Sequence, residues 1–216
     1  MARVSNTLIG KASGSVGNAT FSSWKGINVL KEKATTVANP NTIPQQNQRV
    51  GFALFVEVFR KIPHVIRLGF KKLAVKQSEF NAFIAANVPL ALNFGVPGSP
   101  VIDAGDVWIS KGTLAATVIN SMLADRSNNS ILIAFPVGIT GPGQSLTDLS
   151  LGAVYNSTRN DWAASAATEV RSAGTCTIVM PANWAVADVV TGYLGFANQL
   201  DGNSSDSESI AGVITA

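Results

Sequence analysis

From Val101 onward the chain is a series of short β-prone runs separated by turn signals, and this rhythm limits its fold more than any other feature. The runs are Val107–Ser110, Thr113–Asn120, Ser130–Val137, Leu149–Tyr155, Thr175–Met180, Thr191–Ala197 and Ser209–Ile214. Between them stand Asp125-Arg-Ser-Asn-Asn, Gly141-Pro-Gly, Asn156-Ser-Thr-Arg-Asn-Asp and Asp201-Gly-Asn-Ser-Ser-Asp. About seven short strands at this spacing, over roughly the ~100 residues such domains use, predict a β-sandwich of immunoglobulin or fibronectin-III type.

The text before Val101 reads differently. Residues 1–38 form an expected extended β arm. Gly10, Gly14, Gly17 and Gly26 punctuate the β-forming segments Asn6–Ile9, Asn18–Trp24 and Ile27–Lys31. Such segments are too short to make a core, so the expectation is that they pair with the main domain or with a neighbour. Residues 39–100 form an expected helical segment and linker. Asn39-Pro-Asn-Thr-Ile-Pro44 is a break, with Thr42 as N-cap and Pro44 in the first turn. Short helices are predicted over Pro44–Lys61, Val65–Leu73 and Glu79–Asn87. The stretch Phe52–Phe59 is apolar nearly all round, which predicts a helix buried on all sides. Pro97, Gly98 and Pro100 mark a linker into the sandwich at 101–216. The fold class is therefore mainly β with an α-helical segment.

Charge is scarce and unevenly placed. Only 13% of residues are charged while 46% are hydrophobic. Typical soluble domains carry about a quarter charged residues. A chain of this kind must hide or share more apolar surface, and large exposed apolar patches mark contact sites. Residues 1–100 hold twelve Lys/Arg against three Asp/Glu, and residues 101–216 hold four against ten. The front half thus calls for an acidic partner, either nucleic acid or the acidic half of a neighbouring copy. The apolar stretches around Phe52–Phe59 and Phe83–Leu92 fall short of the roughly 20 residues of a membrane span. Met1–Ser5 leads into polar, Gly-rich text rather than a signal-peptide core. The single Cys176 has no internal disulfide partner, which favours folding in a reducing cytoplasm.

Specific N-terminal text carries a resemblance. Gly10-Lys-Ala-Ser-Gly-Ser-Val-Gly-Asn18, Phe21, Trp24-Lys-Gly-Ile-Asn-Val29 and Asn39-Pro-Asn-Thr-Ile-Pro-Gln-Gln-Asn-Gln-Arg49 resemble an uncharacterised family of Bacteroidetes-type bacteria and their phages. The likeness continues through Val65–Phe70, Ile109–Leu114, Tyr193–Phe196 and Ser207–Gly212. It departs in the sandwich, where the Trp expected in the middle strands is Phe135 or missing. The resemblance implies an arm, helices and a sandwich. It implies no activity, and its occurrence in phages points to a virion component.

No set of residues spells out catalysis. A His-based triad would have to use His64, the one histidine, which stands in an apolar, basic stretch where a packed or capping role is expected. Cys176 falls in a predicted core strand, where a small hydrophobe is the usual role. Asp201, Asn203 and Ser205 alternate as oxygen ligands, but a calcium loop needs Gly where Asp206 stands and Glu where Gly212 stands. Gly138–Ser145 lacks the Lys-Ser/Thr ending of a phosphate loop. No cofactor or metal is expected, and no enzyme.

The resulting expectation is a non-enzymatic phage virion protein, of capsid or tail, present in many copies with other virion proteins and assembled in the host bacterial cytoplasm. Self-assembly contacts are expected from Phe21, Trp24, Val29, Phe52, Phe55, Phe59 and Phe70. Lys31, Lys33, Arg49, Arg67, Lys71 and Lys72 are expected to meet an acidic partner or to touch the genome without sequence preference. The alternative is an accessory cell-surface or glycan-binding sandwich, which requires exposed loop aromatics, with Trp162 and Trp184 as candidates.

Overall fold

A computed structural model describes residues 2–3, 13–34, 36, 39–139 and 141–216, with the backbone alone at residues 2, 3 and 24. The chain divides into two compact units, Met1–Asn41 and Thr42–Ala216.

The first unit is an antiparallel sheet of β1 (Ala2–Arg3), β2 (Gly14–Val16), β3 (Ala19–Trp24) and β4 (Ile27–Glu32), in the order β1-β4-β3-β2. Trp24 pairs with Ile27, so Lys25 and Gly26 alone make the turn, with φ of 47° and 78°. Positive φ at both positions is the type I′ geometry that matches strand twist, and Gly26 adopts it without a Cβ clash. Gly17-Asn18 joins β2 to β3 in another two-residue loop. Through these local turns the arm's strands pair with one another. The Asn6–Ile9 segment lies outside the described residues. No described residue of this unit is fully buried.

The second unit begins with three helices, α1 (Ile43–Lys61), α2 (Pro63–Gly69) and α3 (Glu79–Asn87). The Gln45 side chain accepts the Thr42 N–H at 3.2 Å, and Ser78 Oγ accepts the Asn81 N–H at 3.2 Å. A small pair, β5 (Leu92–Asn93) and β6 (Val101–Ile102), follows. Then come β7 (Ser121–Asp125), β8 (Ser130–Ala134), β9 (Leu149–Asn156), β10 (Asp161–Ala164), β11 (Thr175–Val179), β12 (Val189–Ala197) and β13 (Glu208–Val213). They form a three-stranded sheet, β11-β8-β7, and a four-stranded sheet, β10-β9-β12-β13. β7, β8 and β11 take the places of strands A, B and E of an immunoglobulin-like sandwich. β9, β12 and β13 take those of C, F and G, with β10 beside β9.

The central strands of the four-stranded sheet, β9 and β12, are buried on both faces. Toward the other sheet, Val154, Leu194 and Phe196 pack with Ile131, Ile133, Ile178 and Trp184. Toward the helices, Leu151, Ala153, Tyr155 and Tyr193 pack with Phe55, Ile62, Ile66, Phe70 and Phe83. The period-2 alternation of a strand therefore separates two apolar cores rather than core from solvent. Tyr155, Trp162 and Tyr193 stack in series, with centroids 4.8 and 5.5 Å apart.

Three expectations change. α1 is not buried on all sides, because Phe52, Ala53 and Glu57 are exposed while Phe55 and Val58 face the core. Residue 100 is no boundary between units, since helices and sheet share a core. The predicted runs Val107–Ser110 and Thr113–Asn120 are not strands. Val107 and Ile109 are buried, and the Asn87 side chain bonds both the N–H and the C=O of Trp108, at 2.8 and 3.0 Å. The strands actually formed at β7 and β10 were not expected from the sequence.

Gly69 ends α2 against this segment. A Cβ there would sit 2.6 Å from the Ile109 carbonyl oxygen and 2.8 Å from Ser110 Cα. Backbone cannot yield as a side-chain tip does. Gly69→Ala is expected to destabilise unit 2 by about 1–3 kcal/mol, read as a lower urea midpoint with an unchanged m-value.

Candidate interaction surfaces

The first turns of α1 and the chain after α3 enclose a groove of about 470 Å³, lined by Pro44, Asn47, Val88, Pro89, Leu92 and Phe94. Its walls are mostly apolar. Ile43 and Leu90, next to lining residues in the chain, and Val96 and Val101 farther along it are each more than half exposed. Gly98 holds the far turn near the helix by donating its N–H to Asn47 Oδ1 at 2.8 Å. Sequence reading passed over this surface as a linker. The available signal was the apolar content of that stretch, Leu90, Leu92, Phe94 and Val96, which a solvated linker does not require.

The expected contact residues do not gather on one surface. Phe55 and Phe70 have zero exposure, and both pack edge-to-face on Phe83. Their contacts are within the chain, so neither is presented to a partner. Phe59 is half-buried against Phe80, with centroids 5.0 Å apart. Phe52 remains exposed, edge-on to Phe80. Phe21 and Val29 are half-buried in the arm's sheet. The side chain of Trp24 lies outside the described residues.

The basic residues also divide. Lys31 and Lys33 are exposed in the arm. Arg49 is exposed on α1, and Arg67 lies 5.9 Å from the Phe59 ring centroid. Lys71 is exposed, with its stem close to Gly202. Lys72 Nζ is 3.5 Å from Asp201, and Lys61 Nζ is 2.9 Å from Asp161. Part of the charge asymmetry is thus met inside one chain, by helices docking on the acidic sandwich.

The residues weighed for chemistry are structurally committed. His64 Nε2 lies 2.6 Å from the Ser165 carbonyl oxygen, which makes that nitrogen a donor rather than a base. Cys176 is buried in β11, and burial pushes its thiol pKa up, away from a reactive thiolate. Asp201 Oδ1 accepts the Asn203 N–H at 2.8 Å in a turn. Trp162 and Trp184 are buried, which corrects their expected exposure on sandwich loops. Arg171 and Asp148, both fully buried, approach to 3.5 Å. The guanidinium also bonds Thr117 Oγ1 and lies 3.8 Å from the Phe196 ring centroid. Burial lowers the Arg171 pKa, and Asp148 opposes that shift. This pair pins the loop before β9 to the turn before β11.

With this geometry in view, the chain matches the model of a family of unknown function, DUF6266, over residues 11–211. It belongs to that family. No curated protein matches it, and no solved structure does. Among the described residues no helix is long and apolar enough to cross a membrane.

Asp188 offers a test of the sandwich's polar staples. Its carboxylate accepts the Ala185 N–H at 2.9 Å, the Asn156 amide at 2.8 Å and Arg159 Nε at 2.6 Å. These donors, the backbone N–H foremost, hold its pKa down to about 2 from 3.8. A depressed carboxylate pKa adds stability above its unfolded value, and that stability is lost as pH falls through the folded value. Stability is expected to fall as pH drops from about 4 to 2. Asp188→Asn is expected to be less stable at neutral pH and to show a shallower fall in that window, as read by urea titration at each pH.

Proposed function

We propose that the chain is a non-enzymatic structural component of a phage virion, in capsid or tail, that works by associating with copies of itself. The observation that carries this reading is the apolar groove at the start of α1, with Phe94 in its wall and more-than-half-exposed aliphatic neighbours. Apolar surface grouped in this way favours association with another protein. The surplus of Lys/Arg before residue 100 and of Asp/Glu after it gives copies a means of orienting on each other. The phage assignment rests on the sequence resemblance. The burial of Cys176 and the hydrogen bond from His64 Nε2 to the Ser165 carbonyl favour a binding role over catalysis. The burial of Trp162 and Trp184 removes the aromatic platform that a glycan-binding reading called on.

Light scattering and negative-stain microscopy of the full chain, at low and high salt, test the proposal. Ordered particles, rings or tubes are expected, with growth weakened by salt. A monodisperse monomer under all conditions would overturn it. Phe94→Asp is expected to leave the circular dichroism unchanged and to raise the concentration needed for assembly by about tenfold or more.

A further inference from the structure

We propose that the free edge of β13 receives the arm of a second copy of this chain as an added strand. This rests on the self-assembly reading above and names the surfaces that carry it.

β13 ends the four-stranded sheet. The Ile214 N–H donates to the Asp188 carbonyl at 3.0 Å, in register with Val189 opposite Val213. Antiparallel pairing alternates, so Glu208, Ile210 and Gly212 bond to β12 while Ser209, Ala211 and Val213 turn their N–H and C=O groups outward. Ser209, Ala211 and Val213 are exposed.

Parts of the other sandwich edges, and the residues on either side of β13, are answered within the chain: Ser207 donates its N–H to the Ser110 carbonyl at 3.1 Å before β13, and Thr215 bonds β7 after it. α1 packs on β10. On β11, the Glu169 carboxylate accepts the outward Thr177 N–H at 2.6 Å. On β7, Thr215 donates its N–H to the Ala124 carbonyl at 2.8 Å and accepts the Arg126 N–H at 3.1 Å. β13 contains neither Lys nor Pro, the residues that usually blunt an open edge. An open edge of this length recognises an extended partner through its main chain.

Charge selects the partner. Glu208 opens β13, and the turn carrying Asp103 and Asp106 lies beside it. That turn is held by Tyr193 Oη donating to the Ala104 carbonyl at 2.6 Å and Ser209 Oγ donating to the Gly105 carbonyl at 3.4 Å. Among the described residues, none of these three carboxylates forms an ion pair. Residues 1–41 carry five Lys/Arg and one Asp/Glu. Their outer strand β2 is exposed along its length. Val16 opposite Ala19 closes a two-residue hairpin, which turns the Ser15 N–H and C=O outward. A strand sheet with no fully buried residue among those described gains stability from a second sheet edge to lean on.

The test uses the full chain throughout. Ala211→Pro removes one outward donor without breaking a bond to β12, and it is expected to abolish or strongly reduce assembly while the thermal melt stays cooperative. A charge swap guards against misfolding. A variant with Asp106→Lys and Glu208→Lys, and another with Lys31→Glu and Lys33→Glu, are each expected to lose about tenfold or more in self-association. Mixed together they are expected to co-assemble, because each supplies the charge the other lacks. Wild-type assembly with both variants unimpaired, or a mixture that stays dissociated, would overturn the β13 assignment and leave the self-assembly reading standing. A wild-type chain that stays monomeric would overturn both.

Discussion

The central strands β9 and β12 of the sheet β10-β9-β12-β13 are buried on both faces, and the rest of unit 2 is arranged by that constraint. One face closes on the three-stranded sheet, and the other needs a cover that a seven-stranded sandwich does not provide. α1, α2 and α3 supply it, with Phe55 and Phe70 each edge-to-face on Phe83, in one core with Tyr193 and its neighbours. The helices are therefore the third layer of one fold. This explains why a fully buried Tyr193 still finds a partner for its hydroxyl, in the Ala104 carbonyl, and why burial pushes its pKa far up.

Polar groups inside this fold act as staples between loops. Asn87 spans from α3 to Trp108, Ser204 Oγ reaches the carbonyls of both Gly69 and Lys111, and Asp188 gathers three donors. Each ties an irregular segment to a regular element, so buried backbone groups are paired where no strand partner exists. The Arg171–Asp148 pair belongs to the same set. Its guanidinium meets a hydroxyl, a carboxylate and an aromatic face, but Arg171 Nε and Nη2 and Asp148 Oδ1 have no hydrogen-bond partner, so its desolvation is only partly offset.

The arm is a different case. Its turns are specified locally and its strands pair with each other, and none of its described residues is fully buried.

Much of the fold was legible in the residues themselves. The Gly26 turn, the Thr42–Pro44 helix start, the α3 boundaries and the runs that became β8, β9, β11, β12 and β13 follow from turn chemistry and period, which are local properties. What stayed hidden depends on distant partners. β7, with Ser, Ala and Asp among its five residues, is a strand because β8 offers it an edge. Val107–Ser110 has the composition of a strand but is not one, because Asn87 and Ser207 take up its backbone bonds. The sequence by itself determined that the chain is β-rich, poor in charge and basic in front. Only the tertiary structure decided that Phe55 and Phe70 are core while Phe94 is surface, and that Thr215, just past β13, pairs with β7. The physical reason is that burial and pairing are properties of what two distant segments do to each other, and neither segment carries that information alone.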